Sequence, residues 1–179
     1  MSEKMVRVMR ERSHRMHDLL LEMGEGLTEE QLRWIPSQTA PPIRWHLWHI
    51  GRFADMHHAE FLADADSSAS LTSEEMEIWH KENIALEWGL NTSQLGRYEA
   101  GVGMDDQIAA TLPLPEKAVL LAYCRRAFEA FNQIVDTQPI ERYDEIIEGV
   151  GYHITHAWRH LGMIEALKGA QNVSGTATI

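Results

Sequence analysis

The sequence has one cysteine, Cys124, so no disulfide can close within the chain. That usage fits a reducing compartment and gives the expectation of a cytoplasmic protein. No run of about 18 apolar residues occurs, the length a membrane-spanning helix requires. The longest greasy stretch, residues 118–124, is far too short. The first ten residues alternate charged and apolar side chains and hold no continuous apolar segment of the secretory kind. Cations are scarce: 16 Lys and Arg stand against 27 Asp and Glu, a formal net charge of −11. An acidic surface repels phosphate backbones and anionic headgroups, so neither nucleic acid nor membrane is expected as the main partner. Runs with strand periodicity, internal repeats and low-complexity tracts are missing as well.

What is present is helical periodicity. A length of 179 residues suits one domain, and we place it over residues 1–169 with a tail at 170–179. In residues 3–23, Val6, Met9, Ser13, Met16, Leu20 and Met23 recur at steps of three and four, with Ser13 the polar exception. Gly24 and Gly26 are expected to end that helix. Thr28 with Gln31 reads as a capping pair opening a short turn, which Pro36 stops. Pro41 and Pro42 lead into a second long helix over 43–62. Residues 73–88 predict one shorter helix with Ser73 as its N-cap. The segment 89–115 has four glycines and two prolines. It is expected to form a long connection with a helical turn near 105–110, covering a site with Trp88, Arg97 and Tyr98. Residues 115–137 predict a third long helix that buries Val119, Leu120, Tyr123, Ala127, Phe131 and Ile134. Residues 141–148 then link to a last helix bounded by Gly149, Gly151 and Gly169. The expectation is an all-α four-helix bundle, with an extra short helix and a long loop between the second and third long helices.

The chemistry lies in the histidines, of which there are ten. His156 and His160 stand four apart, so they share one helix face. Ile164 and Leu167 continue that face and turn it toward the core. Two imidazoles on one face can reach one metal ion. The pair alone says little, since about 0.5 such pairs arise by chance at this composition. A third ligand from another helix changes that, and His49 sits mid-stripe among Trp45, Trp48, Phe53 and Met56. Its rival is His46, three positions earlier and about 60° around the helix. His49, His156 and His160 would leave a tetrahedral ion one open position, which suits catalysis better than a closed structural site. Zinc is the first expectation, with nickel and iron(II) as alternatives.

The other candidates are weighed beside these. His17 is expected to be partly exposed, and His57 and His58 to lie at the surface. His153 either contacts substrate or packs, and Cys124 reads as a core residue. Glu11-Arg-Ser-His14 and Glu77-Ile-Trp-His80 satisfy the Glu-x-x-His spacing of di-iron bundles, but the other core glutamates have no evident place.

Three segments, Leu32-Arg-Trp-Ile-Pro36, Trp45-His-Leu-Trp-His-Ile50 and His156-Ala-Trp-Arg-His-Leu-Gly-Met-Ile164, together resemble the DinB/YfiT-like family of metal-dependent enzymes. The resemblance implies an up-down-down-up bundle. One histidine of its second long helix and a His-x-x-x-His pair on the last bind a divalent metal. The matching residues are His49, His156 and His160. It further implies activation of a low-molecular-weight thiol or water against a small-molecule substrate, as a thiol-dependent transferase or isomerase or as a hydrolase. Pairing as a homodimer is implied too. One departure stands out: where members often carry His-Arg-Gly-Gln, His160-Leu-Gly-Met163 keeps only the glycine. No general base is readable. His46, His153 and Asp55 are candidates, while Glu165 falls about 140° from His160 on the wrong face. The alternative reading is a non-catalytic, metal-stabilised binding or structural bundle.

Overall fold

Capping residues and prolines set where the helices begin. The Thr28 hydroxyl accepts from the Gln31 N–H at 3.2 Å, and the Gln31 side chain accepts from the Thr28 N–H at 2.8 Å, the reciprocal pair the sequence predicts. Pro42 stands before the second long helix, where its missing N–H costs nothing, and its carbonyl accepts from Trp45 N at 3.0 Å. The structure is a computed structural model in which residues 2–65 and 72–175 are described. They form α1 (Glu3–Gly26), α2 (Glu29–Arg33), α3 (Ile43–Ala65), α4 (Ser73–Met76), α5 (Ile78–Lys81), α6 (Ile84–Glu87), α7 (Asp106–Thr111), α8 (Lys117–Thr137) and α9 (Tyr143–Ala170). Single 3₁₀ turns lie at Thr92–Gln94 and Ile140–Arg142. The described residues contain no strand, only two isolated bridges.

Four long helices carry the architecture. Helix α3 lies along α8 and α9, and α1 lies along the same two helices. Helix α3 is buried on nearly every side: Ile43, Leu47, Trp48, Ile50, Ala54 and Ala59 are fully covered, and so are the charged Arg52 and Asp55. Polar side chains at the centre of a core need partners there. Each of the larger aliphatic side chains, Ile43, Leu47 and Ile50, contributes about 1.5–3 kcal/mol on leaving water. The polar exception in the α1 stripe is resolved by a partner, since the buried Ser13 hydroxyl donates to Asn132 Oδ1 at 2.7 Å.

Several boundaries differ from expectation, each for a tertiary reason. Residues 73–88 form three single turns rather than one helix, and Thr72 rather than Ser73 caps the first. The chain leaves helical geometry at Glu77, whose carboxylate turns inward to Arg52 Nη2 at 2.6 Å. Asp55 then caps the next turn, accepting from Ile78 N at 2.8 Å and Trp79 N at 2.9 Å. A second break follows at Asn83, with φ of 53°. Helix α1 runs through Gly24 to Gly26 before ending. Helix α9 starts at Tyr143, so the expected link over 141–148 is largely helix. The wholly buried Tyr143 docks that start, its hydroxyl donating to the Val135 carbonyl at 2.5 Å and accepting from Arg10 Nε at 3.1 Å. Val119 is 46% exposed, one step around α8 from the buried Leu120. The small, polar stretch 64–73 reads as a loop in the sequence and lies mostly outside the described residues. The tail begins docked, with Gln171 Nε2 donating to the Gln31 carbonyl at 3.1 Å. No helix among the described residues is long and apolar enough to cross a membrane.

Candidate metal centre

Helices α3 and α9 bring the three predicted histidines together. His49 Nε2 lies 3.2 Å from His156 Nε2, and His160 Nε2 lies 3.1 Å from the same atom. All three offer a nitrogen within 4.8 Å of one another, the one such group of His, Cys, Asp or Glu among the described residues. Imidazoles on a tetrahedral ion at the usual bond length place their nitrogens about 3.3 Å apart, so the two separations fit a shared ion. Charge agrees with geometry. Burial pulls the pKa of His49 down to about 3, that of His156 to about 4 and that of His160 to about 2; the crowding of imidazoles, and Arg159 near His156 and His160, add to the shift. All three imidazoles are therefore neutral near pH 7, with lone pairs free to coordinate. His49 and His160 are buried, while His156 is half-buried and faces the exposed Tyr152 at 5.6 Å between rings.

Each of the three imidazoles is aimed by what lies behind it. His49 Nδ1 donates to the Ala100 carbonyl, which leaves Nε2 bare on the site side. His160 Nδ1 meets His46 Nδ1 at 2.8 Å. His46 thus stands behind His160, outside the cluster of three nitrogens that His49 joins. Trp45 stacks on His49 at 4.7 Å and 13°, and Phe53 meets His156 edge-on at 4.5 Å. The site is walled by aromatic surface, and among the described residues no carboxylate or thiolate joins the three nitrogens.

The loop at 96–103 carries Ala100 in a conformation that ordinary residues avoid. Gly96, Gly101 and Gly103 have positive φ, and so do Tyr98 (60°) and Glu99 (48°). Glycine at 101 is required twice over. Its φ is 85°, and a Cβ there would stand 2.7 Å from Trp45 Cζ2 and 3.2 Å from His49 Nδ1. The predicted cover therefore exists, but different residues make it. Arg97 and Tyr98 are exposed, Trp88 packs on Trp79 and Tyr123, and Ala100 with Gly101 touches the site. Sequence reasoning missed Ala100 because its role is a backbone carbonyl; the glycine density nearby was the available signal.

The remaining candidates are placed elsewhere. His17 is buried, not partly exposed: Nδ1 donates to Asn132 Oδ1 at 2.9 Å and Nε2 meets His153 Nε2 at 2.9 Å. His153 is fully buried there and packs rather than facing a site opening. His57 is buried against Glu60, and His58 is half-buried, so neither is the surface residue expected. Asp55 is committed to two backbone N–H groups, to the Tyr123 hydroxyl at 3.0 Å and to Arg52. Glu165 pairs with Lys168 at 2.9 Å. Glu11 points to solvent beside Arg7, His14 pairs with Asp136, and Glu77 serves Arg52, so among the described residues the di-iron spacing assembles no site. Three cavities lie away from the triad, the most voluminous, of about 610 Å³, between Ile35 and Ser37 on one side and Gln107 and Thr111 on the other. A second of about 450 Å³ runs along α1 and α8 beside His14 and Asn132, and a third of about 410 Å³ lies beside Glu77, His80 and Tyr98.

An all-helical domain with three neutral imidazoles converging from two long helices defines a histidine-site helical protein, a donor set compatible with a divalent metal. The family model of the DinB superfamily matches residues 12–164, from α1 into α9 and across all three histidines. The chain belongs to the DinB superfamily. No curated protein matches it.

Proposed function

We propose that His49, His156 and His160 hold one divalent ion, zinc first with nickel or iron(II) as alternatives, and that the chain is a metal-dependent enzyme acting on a small molecule. The long helices would run up-down-down-up, as the superfamily resemblance implies. A divalent ion so held lowers the pKa of a coordinated thiol or water and supplies a nucleophile near neutral pH. The reaction class is thiol-dependent transfer or isomerisation, or hydrolysis. The chain's own contribution is to keep three lone pairs bare and converging, to leave one coordination position without a protein ligand, and to wall the site with Trp45 and Phe53. One observation carries the reading: the Nε2 atoms stand 3.1 and 3.2 Å apart at His156 with both partners neutral. No base is assigned, since His46, His153 and Asp55 are each engaged elsewhere.

The test is metal content of tag-free protein beside His49→Ala, His156→Ala and His160→Ala. One ion per chain, lost in each variant, is expected. A folded wild type that takes up no zinc, nickel or iron(II) would remove the reading. The burial of His49 and His160 favours a second one, a metal-stabilised bundle without turnover. Cobalt(II)-loaded protein separates the two. A change in its visible spectrum on adding a small thiol marks an open position, and an indifferent spectrum marks a closed one.

A further inference from the structure

The loop that aims His49 is itself held by a buried cation. Arg52 lies one turn after His49 on α3 and is fully buried. Its Nη2 donates to the Tyr98 carbonyl at 3.1 Å and its Nε to the Glu99 carbonyl at 3.1 Å. These are the two non-glycine residues of the loop with positive φ. The next carbonyl along the chain, that of Ala100, receives the His49 N–H. A guanidinium presents several donors in a fixed plane, so one side chain can hold two consecutive carbonyls in register. Arg52 is fixed in turn by Glu77 Oε2 at 2.6 Å and Asp55 Oδ2 at 3.2 Å, and it lies 4.8 Å over the Trp79 ring. Trp79 Nε1 donates to Glu99 Oε2 at 2.7 Å and ties the loop at the same point. Without these contacts, two side-chain-bearing residues would not stay left-handed in succession.

We propose that Arg52 is a positioning residue for the metal centre. By gripping the Tyr98 and Glu99 carbonyls, it holds the Ala100 carbonyl on His49 Nδ1 and so keeps the Nε2 lone pair bare and aimed. The consequence for metal affinity rests on the three-histidine reading above; the consequence for the His49 tautomer does not. A merely structural arginine would alter stability and leave the tautomer of one imidazole alone.

The experiment compares metal-free wild type, Arg52→Lys and Arg52→Met/Glu77→Met by imidazole ¹⁵N shifts, followed by competitive zinc titration. Lysine keeps the charge without the fork, and the double variant removes Arg52 with Glu77 while Asp55 keeps the Ile78 and Trp79 N–H groups and the Tyr123 hydroxyl. Wild-type His49 should be a single Nδ1–H tautomer. Both variants should show a mixed tautomer at His49 and unchanged His17, with zinc affinity lower by about 10- to 100-fold, as for other outer-sphere partners. Folded variants with the wild-type tautomer and affinity would overturn the proposal. So would unfolding of both, which would make Arg52 a determinant of the fold rather than of His49. If the wild type binds no zinc, the metal reading falls, and the tautomer comparison alone decides the role of Arg52.

Discussion

His46 and His160 face each other through their Nδ1 atoms at 2.8 Å, one from α3 and one from α9. Only one proton can lie between two neutral rings. If His160 presents a bare Nε2 to an ion, its proton sits on Nδ1, and His46 Nδ1 is the acceptor. His46 then works as the outer partner of a ligand, as the Ala100 carbonyl does for His49.

The two kinds of histidine separate in a titration. His160→Ala should abolish binding of one zinc per chain. His46→Ala should keep that stoichiometry with affinity weakened by about 10- to 100-fold. Competition against a chromophoric chelator reads both. Loss of the ion in His46→Ala would place His46 among the ligands.

Acid should loosen the metal-free protein early. Burial holds His17 down at about 3 and His153 well below its ordinary value. For His17 the unfolded chain takes up a proton near pH 6.5 and the native chain does not until about pH 3. Its contribution is complete above pH 6.5 and drains away as pH falls toward 3. The slope is about 1.4 kcal/mol per pH unit for each proton taken up on unfolding. Urea unfolding at several pH values should show this fall, and His17→Gln should reduce the slope by about one proton. A flat stability profile below pH 6 would contradict the burial of these rings.

Two helical glycines should respond to alanine in opposite directions. A Cβ on Gly24 would stand 2.6 Å from Leu121 Cδ2 and 3.2 Å from Leu47 Cδ1, both buried. Overpacking costs about 1–3 kcal/mol, against about 1 kcal/mol regained in helix propensity. Gly24→Ala should therefore be net destabilising by about 1 kcal/mol. A Cβ on Gly162, on the exposed side of α9, meets nothing within 4 Å. Gly162→Ala should stabilise by up to about 1 kcal/mol. Denaturant midpoints of the two variants check both signs.

Cys124 should be inert in the native protein. The thiol is fully buried, donates to the Leu47 carbonyl at 3.4 Å, and is pushed up by burial to about 12. Iodoacetamide should label it only after denaturation, at a rate that follows unfolding rather than thiol chemistry.

Much of this was readable in the sequence where the controlling contact is local. His156 and His160 are one turn apart, so their convergence needs only a helix. His49 could be singled out by its central place in the α3 stripe and by the family resemblance. The rotation that sends His46 behind His160 depends on how α3 and α9 pack. His17 and His57 are buried because Asn132 and Glu60 receive them, and those pairings cross between helices or depend on a rotamer. The break at Glu77 answers to Arg52, 25 positions earlier. No pattern within residues 73–88 encodes it. The Ala100 carbonyl has no side-chain signature at all.

His49 and His156 stand 107 positions apart in the chain and 3.2 Å apart in space. A nascent chain therefore has no complete site until α9 has been synthesised and packed beside α3. Metal uptake would be a late event in biogenesis, and retained metal would report that the last helix has reached its place.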